Sequence, residues 1–326
     1  MYVRFLGVLA ALSIAAASAS ADVDRVTVKV GYSPGGGYDG YGRLVAEHIG
    51  RFLPDEPTTF VENVPGAGSL RLAKLMMTTE PVDGSVIAIV GSAVATTSLL
   101  RPDKSAIDPS EIKWIGAMAN QPSFCFVAPG SGIADTDDFL AKPLKVGATG
   151  RTSQTFVFAS LVKNLFNPDL EIVLGFSGGS EINLAIERGE LDGRCGNSLS
   201  SLLSSGRYDV VNLVGQWATS VPEVSKDVRD FLSMIDGDVD RKAAKLVTGT
   251  LRVDYPFLMP AGTPDDVLAT YRAAFDEMVQ DQQFLSDAKK RGLLIDPTGG
   301  ADVEAFLQEL VDVDDATIER ARELID

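Results

Sequence analysis

The chain has 326 residues, of which 45% are hydrophobic, and its 45 Asp and Glu against 29 Lys and Arg give a formal net charge of −16. So acidic a composition argues against nucleic acid or anionic lipid as partners, because no basic patch would offset phosphate repulsion. A small anionic ligand stays open, since net-charge repulsion is screened beyond about 8 Å and backbone donors in a cleft act at shorter range.

In chain order, Arg4 precedes an apolar run from Phe5 to Ala17, broken only by Gly7 and Ser13, and Ala17-Ser18-Ala19-Ser20-Ala21 follows. This charged, apolar, small-residue layout predicts a secretory signal peptide over 1–21, cleaved after Ala21. The run is shorter than the roughly 20 apolar residues of a membrane span. Cleavage would remove Arg4 and no acid, taking −16 to −17. The remainder, 326 less 21 residues, exceeds what one core usually fills and predicts two lobes.

Short apolar runs then alternate with helix-period stretches. Strands are expected at Val26–Tyr32, Thr58–Glu62, Val86–Val90, Phe124–Ala128, Lys145–Ala148, Glu171–Phe176 and Val210–Val214. The alternation predicts an α/β chain with mostly parallel sheets flanked by helices on both faces. Tyr41, Leu44, Val45, His48, Ile49 and Phe52 share one helical face, so the sole histidine reads as a core residue.

Four turns repeat one module of strand, Gly/Ser/Thr-rich loop and helix. They are Ser33-Pro34-Gly35-Gly36-Gly37-Tyr38-Asp39, Pro65-Gly66-Ala67-Gly68-Ser69, Thr149-Gly150-Arg151-Thr152-Ser153 and Ser177-Gly178-Gly179-Ser180-Glu181. In an open sheet such turns lie at the carboxyl ends of strands, and free N–H groups at the following helix start attract anions. Each alone is ordinary turn chemistry; four together point to a cleft for a carboxylate.

Two motif matches suggest enzymes. Gly31-Tyr32-Ser33-Pro34-Gly35 fits the serine-hydrolase elbow, but His48 is the only histidine and sits in the next helix. Gly35-x-Gly37-x-x-Gly40, with Glu62 ending the next strand, fits a dinucleotide fingerprint and makes an NAD-dependent oxidoreductase the remote alternative. Against it, three residues lengthen a turn that should be tight. No metal spacing is present, no cofactor is expected, and Asp137, Asp138, Asp265 and Asp266 read as helix-start residues. Cys125 and Cys195 are expected as buried free thiols, with a bridge across the 70 positions between them (195 less 125) as the alternative.

Taken in series, several segments resemble one family. Ser33–Asp39, Glu62-Asn63-Val64-Pro65-Gly66-Ala67-Gly68, Pro81-Val82-Asp83-Gly84, Gly178-Gly179 with Ala185, Gly189 and Asp192, and Pro260-Ala261-Gly262-Thr263-Pro264 are similar, in order and spacing, to the solute-binding proteins of tripartite tricarboxylate transporters. The resemblance covers nearly the whole chain after residue 21. It implies a two-lobed Venus-flytrap fold, a periplasmic location, a ligand held between the lobes, a membrane permease as partner, and no enzymatic activity. It also implies that Ser33 to Asp39 and Thr149 to Ser153 bind one carboxylate, and that Asp192 lies near the ligand's far end. The sequence departs from the family at Val64, Ser69, Arg151 and Arg194-Cys195-Gly196-Asn197. Arg151 and Arg194 are candidates for a second carboxylate; equally, Arg194 could pair with Asp192 or another acid.

The resulting expectation is lobe one at 22–120 plus 250–326, lobe two at 121–249, and a hinge near Asn120 and Thr250. The last helix, through Phe306, Leu310 and Ile318, is expected on lobe one. Ser92, Ser177, Gly178, Gly179, Arg194 and Asn197 complete the expected binding set. A mono-, di- or tricarboxylate or aromatic acid is the expected ligand, a monomer the expected state, and an exported sensor for a two-component receptor the main alternative.

Overall fold

The computed structural model describes residues 23–326, so the signal-peptide reading lies outside the described residues. The first stretch runs β1 (Arg25–Val30), α1 (Gly37–Ile49), β2 (Thr58–Asn63), α2 (Leu70–Thr78), β3 (Val86–Ile89), α3 (Ala93–Leu100), α4 (Pro102–Ser105) and β4 (Lys113–Ala119). The second runs β5 (Ser123–Val127), α5 (Thr136–Ala141), β6 (Leu144–Ala148), α6 (Gln154–Leu165), β7 (Leu170–Leu174), α7 (Gly179–Glu187), β8 (Gly193–Ser198), α8 (Leu199–Ser204), β9 (Asn212–Trp217) and α9 (Asp238–Thr248). The last runs β10 (Asp254–Met259), α10 (Asp265–Met278), α11 (Gln282–Lys290), β11 (Thr298–Gly299), α12 (Gly300–Val311) and α13 (Asp315–Leu324).

These elements form two sheets, ordered β11-β4-β10-β3-β1-β2 and β7-β6-β8-β5-β9. The two-lobed α/β class holds. Both sheets are mixed: β1 runs parallel to β2 and β3, and β6 parallel to β7 and β8, while β10, β11, β5 and β9 enter antiparallel. The chain crosses between sheets at 120–122 and returns before β10, which reverses strand direction there.

Apolar patterning places the cores. In β1 the alternate residues Val26, Val28 and Val30 are fully buried, whereas all four residues of β3 are buried because helices cover both of its faces. One side of the first sheet packs Tyr41, Leu44, Phe275 and Phe284; the other packs Leu72, Val94, Trp114 and Val303. The second sheet is likewise covered on both sides, by Phe139, Phe158, Trp217 and Phe231, and by Phe124, Phe126, Ile182 and Leu202. His48 is buried with its ring edge-on to Phe284, as its place in the apolar stripe predicts.

Two expectations are corrected. The C-terminal segment is two helices, not one: α12, with Phe306, packs on the first sheet, while α13 packs on α9 and α6 through Ala321 and Leu324. The cysteines are bonded to each other, across the antiparallel β5–β8 pair. Burial alone favours free thiols, but here Phe124 pairs with Asn197 and Phe126 with Arg194, so one residue of β5 faces two of β8. That bulge, with Gly196 at φ +69°, sets Cys125 opposite Cys195.

Candidate functional site

The β1–α1 loop ends at Gly36, which caps α1 without a side-chain bond and leaves the helix start open. Asp39 braces the loop from within: its carboxylate accepts from Gly35 N–H, Arg43 Nε and Asn63 Nδ2, each at 2.9 Å. Burial pushes this carboxyl up, but the three donors outweigh it and hold it below the usual range. Gly35, at φ +85°, takes the left-handed turn that lets its N–H reach Asp39. Glycine at 37 has a different cause, because a Cβ there would lie 2.5 Å from Tyr255 Oη.

On the other lobe α6 starts at Ser153, whose Oγ donates to Gly150 O at 2.7 Å and meets Thr155 Oγ1 at 2.7 Å. Helix α7 begins after Gly178, again without a side-chain cap, and Glu181 holds its entry loop through the Ser177 N–H and Oγ, both at 2.6 Å. The bulge in β8 then decides what faces the cleft. Residues 194 and 197 would normally point to opposite faces of a strand. The extra residue shifts the alternation, so Arg194 and Asn197 both line the cleft while Cys195 points into the core.

The lobes meet through these loops. Ser33 N–H donates to Ser177 O at 3.1 Å, Ser180 Oγ to Pro34 O at 3.3 Å, and Thr152 Oγ1 to Ala67 O at 2.8 Å. Deeper in, Ser198 and Tyr255 hydroxyls lie 2.6 Å apart, and Gln154 Nε2 donates to Ser92 Oγ at 2.8 Å and Asp254 Oδ1 at 3.0 Å. Glycine makes this approach possible: a Cβ at Gly178 would strike Ser33 Oγ, and one at Gly150 would strike Ala67 and Gly68.

Between the closed loops lies a cavity of about 40 Å³. Of the residues expected from sequence, Gly36, Gly37, Tyr38, Thr149, Ser153, Gly179, Arg194 and Asn197 line it. Ser33, Pro34, Thr152, Ser177 and Gly178 instead make or border the interlobe contact, with Gly35 and Gly150 beside them. Ser92 is buried behind Tyr38, whose hydroxyl its N–H meets at 3.4 Å. Arg151 is exposed at an outer mouth, its Cζ 5.1 Å from the Phe156 ring centroid. Asp192 lies outside this cavity, beside a larger hollow of about 610 Å³, and accepts from Lys145 N–H at 2.6 Å.

Sequence reasoning missed Tyr32, Gln154, Thr155, Gly196, Ser198, Ser201 and Tyr255, all of which line the cavity. Tyr32 and Tyr255 stand far apart in the sequence, so no spacing signal links them. Tyr32, Tyr38, Tyr255 and Tyr41 form a continuous stack with centroids 4.5, 4.5 and 4.1 Å apart. Burial raises all four phenols above their ordinary value, so they stay neutral hydroxyls, and Tyr32, Tyr38 and Tyr255 line the cavity. Tyr255 holds a left-handed backbone (φ 57°), a costly conformation for an aromatic residue.

Two buried charges flank the stack. Arg194 is 4% exposed and donates only to neutral oxygens: Gly179 O at 3.1 Å, Asn183 Oδ1 at 3.4 Å and Gly196 O at 3.3 Å. Its Nε has no partner among the described residues. Burial pushes this guanidinium down to about 10, with Arg207 adding to the fall, and it remains a cation at neutral pH. Asp254, fully buried, accepts on Oδ1 from Tyr38, Ser92 and Gln154, and burial drives its carboxyl up to about 7 against those donors. No acid lines the cavity itself.

No family model matches the sequence. No curated protein matches it either. Solved structures do. The chain is similar to the periplasmic binding protein BugD, at 15% identity and TM-score 0.70 over 92% of this chain and 96% of that one. It is similar to MatC from Rhodopseudomonas palustris with bound malate, at 19% identity and TM-score 0.72 over 94% and 100%. It is also similar to an R. palustris protein, Rpa4515, with adipate, at 15% identity and TM-score 0.69 over 91% and 97%. The likeness establishes a shared fold, that of two-lobed periplasmic binding proteins.

Proposed function

We propose that the protein is an extracytoplasmic solute-binding protein that captures a small carboxylate between its lobes and hands it to a membrane permease of the tripartite tricarboxylate type. One observation carries the reading: the interlobe cavity is lined by the starts of α1, α6 and α7, by hydroxyls and by one guanidinium, and by no acid. Helix starts present unpaired N–H groups and partial positive charge, so the cavity favours a compact anion. The malate and adipate bound by two proteins of this fold support the same ligand class.

Binding, rather than catalysis, follows from what surrounds the anion. The lone His48 is buried against Phe284 with its ring nitrogens facing Arg51 and Asp287, which leaves it unavailable as a base for Ser33 of the elbow motif. In the proposed cycle the open form takes the ligand on the Gly36–Tyr38 loop, and lobe two closes over it with Thr149, Ser153 and Arg194. The ligand's preference for the closed form sets the shape presented to the permease.

Thermal unfolding against mono-, di- and tricarboxylates, aromatic acids, NAD and NADP tests the reading. At 100 times the dissociation constant a true ligand should stabilise the fold by roughly 2.7 kcal/mol. A shift with carboxylates alone is the expected outcome. A shift with the dinucleotides alone would overturn it in favour of an oxidoreductase.

A further inference from the structure

The donors on β8 exceed the acceptors the protein supplies to them. Arg194 and Asn197 line the cavity, and their buried Nε and Nδ2 atoms have no partner among the described residues. A buried guanidinium without a carboxylate is costly, because its desolvation is not repaid by a nearby negative charge. The other buried acid in the region does not repay it. Asp254 is engaged with Tyr38, Ser92 and Gln154, and no acid lies within ion-pair distance of Arg194 among the described residues. Neighbouring charges do not relieve it either, since Arg207 is a further cation and is itself paired with Glu187.

The first carboxylate has other donors. The start of α6, with no acid in its first turn, brings Thr149, Ser153 and Thr155 to the cavity, and α1 opens onto it at Gly36 and Gly37. Arg194, at the start of α7 beside Gly179, is thus left for a further acceptor-rich group of the same ligand. The cavity, about 40 Å³, has room for only a few waters, so the lobes must part further to admit any such ligand.

We infer that Arg194 is the specificity residue of this cleft: with Asn197 it receives a second carboxylate, and a dicarboxylate is preferred over a monocarboxylate. The inference rests on the reading that the cavity takes a carboxylate.

Calorimetric titration of the purified protein with succinate and with butyrate, matched in carbon number, separates the two claims. Succinate is expected to bind roughly 100-fold more tightly, the order of effect expected for a desolvated charge pair. Arg194→Gln should lose about that factor for succinate and a clearly smaller factor for butyrate, whereas Arg194→Lys should restore part of the succinate affinity. Equal affinity for succinate and butyrate in the parent protein would overturn the role of Arg194 while leaving carboxylate capture intact. An equal loss of both ligands in Arg194→Gln would also overturn it, by assigning the side chain to the fold. Absence of binding by every carboxylate would remove both readings. Should the glutamine variant fail to fold, the parent's succinate-to-butyrate ratio decides alone.

Discussion

At the residue scale, Asp254 is the group whose energetics run against the fold. Its carboxyl is buried, its Oδ2 has no partner among the described residues, and its folded value of about 7 exceeds the ordinary aspartate value near 3.9. An acid raised in the folded state costs nothing while both states hold the proton, below about pH 4. The cost grows as pH rises from about 4 to 7 and is complete above that, on the order of 4 kcal/mol. Asp254→Asn keeps an acceptor for Tyr38, Ser92 and Gln154. The variant should match the parent near pH 4 and be more stable at pH 8, as thermal melts across that range would read. A less stable variant at pH 8 would mean that the ionised carboxylate is favourable where it sits. Residue identity made neither this group nor Tyr255 visible beforehand. An isolated Asp-Tyr pair at the entry to a strand carries no periodic signal, and the two matter only because Gln154 and Ser198 arrive from the other lobe.

Elements were legible where apolar side chains recur with the period of the structure. Strands β1, β2, β3, β5, β6, β7 and β9 follow runs rich in Val, Ile, Phe and Leu, and α1 follows its buried stripe. Strand β8 did not show, since Gly193-Arg194-Cys195-Gly196-Asn197-Ser198 has no alternation at all. Its pairing is imposed from outside, by β5 and by the disulfide, and its bulge undoes the one rule that tells inward from outward residues. That is why Arg151 and Arg194 were equivalent candidates in the sequence and occupy unlike places in the fold. Replacing both cysteines, as Cys125→Ala with Cys195→Ala, releases a closed loop spanning a sequence separation of 70. The chain-entropy model puts the cost at roughly 4 kcal/mol, to be read as a lower midpoint in urea with a steeper slope, because the uncrosslinked unfolded chain exposes more surface. An unshifted midpoint would show that the β5–β8 pair is held by packing alone.

For the whole molecule, lobe count and class were readable from length and alternation, whereas the path of the C-terminus was not. One short break between Asp312 and Asp314 divides what looks like one apolar-striped helix, and only packing on α9 reveals where the second part goes. Deleting residues 313–326 removes Ala321, Leu324 and Ile325, all buried in the lobe-two core, and exposes the surface they cover. At about 1.5–3 kcal/mol for each of the two large side chains, the melting temperature should fall by roughly 10 °C. A truncated chain that melts like the parent would show α13 to be dispensable. The position of α13 also has a mechanical consequence. It grips the lobe-two helices through Arg320 and Asp240, and it holds the end of α3 through Arg322, whose Nε donates to Leu100 O at 2.7 Å. With the crossings at 120–122 and before β10, the halves are tethered at three separate points. Two tethers already confine the halves to a swing about the line that joins them. A third resists that swing, so any opening has to move α13 against α9 or against the end of α3.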